Sequence, residues 1–285
     1  MDLKSKYTDE ERAIARSLRP IDDTLFRTMA KDNIPLVEHI VRVTLNRDDI
    51  SILKVNTQDD IHLFDKGHSV ILDCLAVDKE GTYYDIEVQA SKKGDEVKRA
   101  RYISSMIDSR YALGKGISSY NEIKSQIVLF LMEEDIFDRG KQLYKFKRIE
   151  EESKLPLDDG SLIIYVNAKN KGREELDNLM QSLVSSNYLE MKDNVIRGCT
   201  MYYKTTVEGE DHVCDAVQQY AEKYAEQYAT KSYDNGRTEG INTGTVKTLL
   251  NLVNSGNITL GFAIENSGLN KEEFYSIAES LGYKV

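Results

Sequence analysis

The sequence lacks tryptophan and contains only three prolines and three cysteines among its 285 residues. Cys74, Cys199 and Cys214 are too few and too scattered for a disulfide framework or a zinc site. No run approaches the roughly 18 consecutive apolar residues of a membrane span. The charged N-terminal segment has no apolar core of the kind found in secretory signals. We therefore expect a reduced, cytoplasmic protein with no membrane segment and no secretory signal.

Positive charge is also in short supply, because 48 acidic residues outnumber 38 basic ones and the formal net charge is −10. A phosphate polyanion favours a basic surface, so broad, non-specific nucleic-acid binding is disfavoured. The charge is uneven along the chain. Residues 205–285 carry −6, which leaves −4 on residues 1–204. The first part is therefore the better candidate for contact with phosphate.

Hydrophobic periodicity in residues 1–204 predicts a mixed α/β domain with a single sheet. Helices are predicted to begin at Ile21-Asp22-Asp23 and at Pro35, and helical patterns return at 100–113 and 173–189. The segment 125–132 is uniformly apolar, which is typical of a strand buried on both faces. The predicted strands are 61–64, 70–77, 83–90, 125–132, 143–149 and 161–166.

Residues 205–285 are predicted to form an all-helical C-terminal appendage. Tyr and Ala recur every four residues in 220–229 and suggest a docking or dimer face. Gly236, Gly240 and Gly244 each cost about 1 kcal/mol in a helix relative to Ala, so they predict a weak helix or a hinge. Residues 245–285 predict three short helices, with Asn257 and Asn270 near the starts of two of them.

The last two of these helices resemble a helix-turn-helix. However, Asn270-Lys-Glu-Glu273 would place two acids at the start of the recognition helix. We therefore favour packing on the appendage or on another subunit, as in a homo-oligomer, over contact with DNA.

Most of the candidate metal-binding and catalytic side chains lie in the segment 70–101. A hairpin centred on Glu80 places Asp73 opposite Glu87, with Cβ atoms about 5 Å apart, whereas a two-residue turn would shift this pairing by one position. Alternation assigns two faces to the hairpin. One bears Asp73, Asp85, Glu87 and Gln89 beside Leu75, Val77 and Tyr83, and the other is an ordinary core face of Leu72, Cys74, Ala76, Tyr84, Ile86, Val88 and Ala90.

When two carboxylates lie this close together, either the pKa of one of them is raised or the two share a cation. Oxygen ligands suit Mg²⁺, which binds one or two carboxylates and keeps several waters. The alternative is an acidic surface that faces solvent. Leu75 and Val77 on the same face indicate that it is partly covered, which weakens that alternative.

Five short motifs in order resemble the PD-(D/E)XK nuclease superfamily, and within it the bacterial branch of recombination-promoting nucleases and transposases. The resemblance covers residues 21–204. It implies a restriction-endonuclease-like mixed sheet flanked by helices and an Mg²⁺-dependent endodeoxyribonuclease linked to recombination or mobile elements, with Mn²⁺ as a substitute and DNA as a partner. The motifs are Asp23-Thr-Leu-Phe-Arg27, Leu72-Asp73, Ile86-Glu87-Val88-Gln89, Arg99-Ala-Arg101-Tyr102, and Asp159-Gly160 followed by Ile164-Tyr-Val-Asn167.

The resemblance also implies roles for individual residues. Asp73 and Glu87 would bind metal, with the backbone carbonyl of Val88 as a third ligand. Gln89 stands where most of the superfamily has Lys. It can orient a water or donate to a phosphate oxygen, but it cannot act as a base. Positive charge for the transition state would then come from the metal and from Arg99.

Further basic residues follow the hairpin, and we expect Lys92, Lys93 and Arg101 to contact substrate phosphates, although each is equally compatible with a solvated helix face. Asp23 is a further candidate metal ligand, or else a first-turn acid stabilised by the helix dipole. Glu38 is a competing candidate on the next helix, where a solvent-facing role is favoured.

Hydrolysis by this superfamily implies 5′-phosphate and 3′-hydroxyl products. Two other classes stay open. One is a catalytically decayed nuclease fold acting as an interaction or regulatory protein, which the net acidity and Gln89 favour. The other is a transcription regulator that uses the C-terminal helices.

Overall fold

The computed structural model describes residues 6–61, 70–113 and 116–283. The chain divides into two compact units, Met1–Gln218 and Gln219–Val285. The first unit contains a six-stranded mixed sheet flanked by helices, and the second is helical. The mixed α/β architecture with C-terminal helices agrees with the sequence-based expectation.

In the described part of the first unit three α-helices precede three strands, one α-helix separates these from three further strands, and more helices follow. Its strands are β1 (Ile52–Ile61), β2 (Val70–Asp78), β3 (Tyr83–Gln89), β4 (Gln126–Met132), β5 (Leu143–Phe146) and β6 (Ser161–Asn167). Its α-helices are α1 (Asp9–Ser17), α2 (Asp23–Ala30), α3 (Ile34–Leu45), α4 (Glu96–Leu113), α5 (Glu174–Val184) and α6 (Asn194–Thr205), and it includes the start of α7 (Val207–Asn254).

The strand order in the sheet is β1-β2-β3-β4-β6-β5. Strands β3, β4 and β6 are parallel, and the other neighbours are antiparallel. Helix α4 provides the crossover that a parallel β3–β4 pair requires. Because β4 has a parallel neighbour on each side and both of its faces are covered, every residue after its first, Gln126, is apolar.

Two apolar layers cover the sheet. One face packs against α2, α3, α5 and α6 through a large cluster that includes Ile86, Leu129 and Val166. The other face packs against α4 through a smaller cluster that includes Leu75, Phe130 and Ile103. The candidate carboxylates therefore lie on a sheet that is buried from both sides.

The predicted hairpin register is confirmed over the pairs Cys74–Ile86, Leu75–Asp85 and Ala76–Tyr84. Gly81 allows the tight turn because its φ is +84°, a conformation that favours glycine. The prediction that Leu72 shares a face with Cys74 is wrong. Leu72 packs in the cluster beside α4 rather than with Cys74, and this departure coincides with the end of the β2–β3 ladder at Cys74.

Three elements were not predicted from the sequence, namely α1, α6 and most of β1. The predicted strand 61–64 overlaps β1 only at Ile61, and its other residues lie outside the described part of the chain. Strand β1 was missed because its Lys54-Val-Asn-Thr-Gln run is largely polar. The predicted strand 143–149 ends earlier, at Phe146, and the helix predicted for 173–189 ends at Val184.

The C-terminal helices are α7, α8 (Leu260–Glu265) and α9 (Lys271–Ser280). Helix α7 continues through Gly236, Gly240 and Gly244, which agrees with the helix rather than the hinge of the two predicted alternatives. Extending an existing helix adds a hydrogen bond per residue without a new nucleation step, which offsets the cost of glycine. Asn270 caps α9 as part of a capping box.

A small apolar core that includes Leu250, Ala263 and Phe274 joins the three C-terminal helices. Most side chains of the Tyr-Ala repeat lie outside the described residues, so its role as a docking face stays a prediction. Within the described ranges, none of the helices combines the length and the apolar character needed to cross a bilayer.

Asp193 caps the N-terminus of α6 and contacts α3, so its substitution tests how much these contacts stabilise the first unit. Its Oδ1 accepts the backbone N–H groups of Val195 and Ile196, and its Oδ2 lies 2.7 Å from Nε2 of His39. We expect Asp193→Ala to lower the free energy of unfolding in urea by about 1–2 kcal/mol, the usual cost of losing a helix cap. Asp193→Asn keeps the capping oxygen and should lose less. Equal stability of the Ala variant and the wild type would contradict this role.

Candidate active site

The site forms where β2 and β3 separate, one step beyond the last backbone pair. The backbone N–H of Asp73 donates to Oε1 of Glu87 at 3.2 Å, and the backbone N–H of Val88 donates to Oδ2 of Asp73 at 3.1 Å. Each carboxylate thus bonds to the neighbouring strand in place of a ladder hydrogen bond. Both residues are almost completely buried, with 3% and 1% of their surfaces exposed.

Two arginines from different helices neutralise this pair. Arg27 of α2 places Nη2 2.7 Å from Oδ1 of Asp73, and its Nε lies 2.6 Å from Oδ1 of Asp23. Arg99 of α4 pairs with Glu87. The structure therefore brings together Asp23, Asp73, Glu87 and Arg99 from the predicted site, and it adds Arg27.

Burial and mutual repulsion disturb the ionisation of these carboxyls. The pKa of Asp23 is raised to about 7, chiefly by burial and then by the charge of Asp73, against the opposing effect of Arg27. The pKa of Glu87 is raised to about 8, again by burial first and then by Asp73, although Arg99 opposes the shift. The two arginines therefore do not fully compensate the negative charge of the cluster.

Asp85 is the most isolated polar group on this face. It is fully buried, and neither of its carboxylate oxygens has a hydrogen-bond partner among the described residues. Its pKa is raised well above the usual value by burial and by the charges of Glu87 and Asp73. Burial and these neighbouring charges therefore favour the neutral form of the Asp85 carboxyl.

Gln89 lies two residues beyond Glu87, and its amide is oriented by two acceptors. Its Nε2 lies 2.6 Å from the carbonyl oxygen of Ser91 and 2.7 Å from Oε1 of Glu96. Because both partners accept hydrogen bonds, the amide nitrogen must face them. The Oε1 of Gln89 is buried and has no partner among the described residues. The available atom of Gln89 is therefore an acceptor, and its donor is already engaged.

Glu96 begins α4 and remains ionised. Burial opposes ionisation, but hydrogen bonds from the backbone amides of Lys93 and Gly94 and from Gln89 leave the pKa of Glu96 below its usual value. Its carboxylate thus connects the loop after β3 to the first turn of α4 and holds the side chain of Gln89 in place.

The remaining predicted residues lie at the rim or elsewhere. Lys92 is exposed and pairs with Asp138 at 3.1 Å, and Arg101 is exposed on α4. Lys93 is exposed, and its charge opposes the rise in the pKa of Asp23. Glu38 lies outside the cluster, because it pairs with Arg42 and accepts the backbone N–H of Ile52.

Sequence reasoning assigned no role to Arg27 or Glu96. Arg27 was visible only as the last residue of the Asp23-Thr-Leu-Phe-Arg27 motif. Its i,i+4 spacing from Asp23 was the available signal, because such residues lie side by side on a helix. The role of Glu96 has no comparable local signal, because it depends on how the loop after β3 folds back on Gln89.

The donor set is compatible with a divalent cation. Four carboxyls, those of Asp23, Asp73, Asp85 and Glu87, face two guanidinium groups, so full ionisation would leave two negative charges uncompensated. In the parts of the chain that the structure describes, no three His, Cys, Asp or Glu side chains form a ready-made metal cage. Two carboxylates completed by a backbone carbonyl and waters are the coordination that Mg²⁺ accepts.

The raised pKa of Glu87 predicts a pH effect on the metal-free protein. Between about pH 4.5 and 8 the folded state holds more protons than the unfolded state, so the free energy of unfolding should fall as pH rises. In EDTA we expect a loss on the order of 3 kcal/mol from pH 5 to 8, at about 1.4 kcal/mol per pKa unit. Urea unfolding of Glu87→Gln should show a flatter pH dependence. Identical pH dependence in variant and wild type would refute the assignment.

One comparison with known proteins identifies a family for this chain. The sequence model described as PD-(D/E)XK nuclease family transposase matches residues 26–192, more than half of the chain, and the match includes Asp73, Glu87, Gln89 and Arg99. No curated protein and no solved structure matches the chain. Nucleases of this superfamily act on DNA and generally use divalent metal ions. The chain therefore belongs to the PD-(D/E)XK nuclease family transposases.

Proposed function

We propose that the protein is an Mg²⁺-dependent endonuclease that hydrolyses phosphodiester bonds in DNA during recombination or the movement of mobile elements, and that Mn²⁺ can replace Mg²⁺. The observation that carries this proposal is the buried pair Asp73 and Glu87, held between separating strands with incompletely compensated charge. At this point of the sheet, carboxylate oxygens take the place of backbone hydrogen bonds and lie close together. Closely spaced carboxylate oxygens can bind the cation that assists a reaction on a phosphate.

The carboxylates of Asp73 and Glu87 and the backbone carbonyl of Val88 would hold the cation, with Asp23 as a further oxygen donor from α2. A divalent cation held there supplies a water of lowered pKa and offsets the charge on the phosphodiester. The protein keeps the two ligand strands in place through the register of the β2–β3 ladder.

Gln89 would orient the attacking water by accepting its hydrogen bond at Oε1, while Glu96 holds the amide in that orientation. Gln89 cannot remove a proton, so it acts by positioning. The water oxygen bonds to phosphorus as the bond from phosphorus to the 3′ oxygen breaks. The attacking water gives up a proton to solvent and the leaving 3′ oxygen takes one up from solvent, so the products are a 5′-phosphate and a 3′-hydroxyl.

Arg99 and Arg27 would stabilise negative charge on the reacting phosphate, since each already lies against a carboxylate of the site. Guanidinium groups suit this role because they stay protonated and present several donors to an oxyanion. Lys92, Lys93 and Arg101 would contact the flanking phosphates from the rim.

The same ion pairs favour a second candidate function. Arg27 on Asp73 and Arg99 on Glu87 can substitute for a cation in a protein that has lost catalysis and serves as an interaction or regulatory protein. Calorimetry with Mg²⁺ or Mn²⁺ separates the two candidates, because the interaction protein binds neither ion at this site.

The first prediction from the nuclease function concerns plasmid nicking. We expect the purified protein to nick supercoiled DNA with Mg²⁺ or Mn²⁺ and not with EDTA. Glu87→Gln and Asp73→Asn should each lower the rate by about 10²- to 10³-fold, the usual cost of removing one electrostatic stabiliser of a transition state. Glu175→Gln, which alters an exposed acid on α5, should cut like the wild type. Nicking that survives both site substitutions would show that the site is misplaced.

The second prediction concerns the support of Gln89 by Glu96. Glu96→Ala should lower the nicking rate at saturating DNA by about 10- to 100-fold, the usual effect of losing a group that orients a site residue. Calorimetric affinity for Mn²⁺ should stay as in the wild type, because Asp73 and Glu87 are intact. Glu96→Gln should retain more activity than the Ala variant, because its side-chain oxygen can still accept from Gln89.

Glu174→Ala is the matched control, since Glu174 also begins a helix but is exposed and remote in sequence from the site. Equal rates for Glu96→Ala and the wild type would remove Glu96 from the mechanism. Equal losses in the two Ala variants would indicate a general effect of helix starts.

A further inference from the structure

A dense basic segment lies at the edge of the sheet, outside the carboxylate site. Residues 139–148, here called the basic edge, contain five basic residues and no Asp or Glu, in a protein of net charge −10. They include β5, which is the last strand in the sheet order. All five basic residues are exposed, namely Arg139, Lys141, Lys145, Lys147 and Arg148.

Four of these cations have no counter-ion among the residues that the structure describes. Arg148 pairs with Asp159, but across the described residues the side chains of the other four make no ion pair and no hydrogen bond with the protein. Neighbouring surface lysines behave differently, since Lys92 pairs with Asp138 and Lys169 pairs with Glu134. Clustered cations without counter-ions produce a local positive potential, and a polyanion is the partner that such a potential attracts.

Protection of the sheet edge explains only part of this pattern. A lysine on an edge strand discourages pairing with another chain. Lys145 is within β5 and suits that role. Arg139 and Lys141 precede the strand and Lys147 follows it, so edge protection does not account for them. The exposed ring of Phe146 among these cations gives a further surface for contact.

The basic edge adjoins the candidate active site through the sheet. Glu87 is in register with Phe130, Phe130 with Tyr165, and Tyr165 with Tyr144 of β5. Three strand spacings of about 4.8 Å put β5 about 14 Å from the strand that carries Glu87. The Lys92–Asp138 pair also joins the loop after Gln89 to the residue before Arg139. A duplex with one phosphate at the carboxylates can therefore reach this edge.

We propose that the basic edge binds the phosphate backbone of duplex DNA through Arg139, Lys141, Lys145 and Lys147. This inference rests on the proposed nuclease function and assigns the surface that positions its substrate. Two residues of extended chain span about 6.6 Å, the scale of the spacing between Lys145 and Lys147, and this is close to two phosphate rises of 3.4 Å along the helix axis for one DNA strand. Contacts of this kind set the position of the duplex without reading its sequence.

The test measures binding of a fluorescent duplex by anisotropy in EDTA, over a series of salt concentrations, with the full-length protein. Each double variant, Lys145→Gln/Lys147→Gln and Arg139→Gln/Lys141→Gln, removes two phosphate contacts. The slope of log K against log salt should become shallower by about 2, because each contact contributes about 0.9. The Kd near 0.1 M salt should rise roughly 10- to 100-fold.

Lys192→Gln/Arg197→Gln is the matched control, because it removes the same charge from exposed positions elsewhere and should keep the wild-type slope. Equal slopes in the edge variants and the wild type would overturn the proposal. The proposal would also be overturned if the control variant lost as much affinity as the edge variants. The same holds if the wild type bound no duplex, or if it bound duplex RNA more tightly than duplex DNA. Nicking by the wild type is scored separately. If the wild type cuts DNA but the edge variants bind the duplex as the wild type does, only the proposal for the basic edge is refuted. If the edge variants bind more weakly but the wild type does not cut, only the nuclease function is refuted.

Discussion

The carboxylates of Asp73 and Glu87 replace backbone hydrogen bonds at the point where β2 and β3 separate, and the rest of the site depends on that exchange. Burying two carboxylates is unfavourable unless cations compensate them. Helices on opposite faces of the sheet supply those cations, Arg27 from α2 and Arg99 from α4. Packing α2 and α4 on the sheet therefore also brings the two arginines to the carboxylates, so the site forms only when both helices have packed.

The site contains polar atoms that a structure built for stability alone would avoid. The carboxyl of Asp85 and the carbonyl oxygen of Gln89 are buried without partners among the described residues, and each such group lowers stability. Apolar clusters on both faces of the sheet offset this cost. Proteins concentrate such local conflicts at functional positions, so these atoms agree with a site that completes its bonding only with a bound ion, water or substrate.

Charge is distributed in a way that suits an acidic protein with a polyanionic substrate. Negative charge dominates overall and is concentrated in residues 205–285, whereas basic side chains without a partner among the described residues gather along one edge of the sheet. A net negative charge disfavours approach of a polyanion, and a local basic cluster offsets that effect where it lies. The net charge therefore limits non-specific binding without preventing contact at the basic edge.

Sequence patterns were enough to predict the hairpin register, the candidate ligands Asp73 and Glu87 and the buried strand β4, because alternation, turn glycines and apolar runs are local properties of the chain. Which distant side chains meet depends on the tertiary structure. The Arg27–Asp73 and Gln89–Glu96 contacts, the changed face of Leu72 and the largely polar strand β1 were not predictable from periodicity. Long polar side chains reach across elements, and the partners they find depend on helix packing and on where strands separate, which no local pattern encodes.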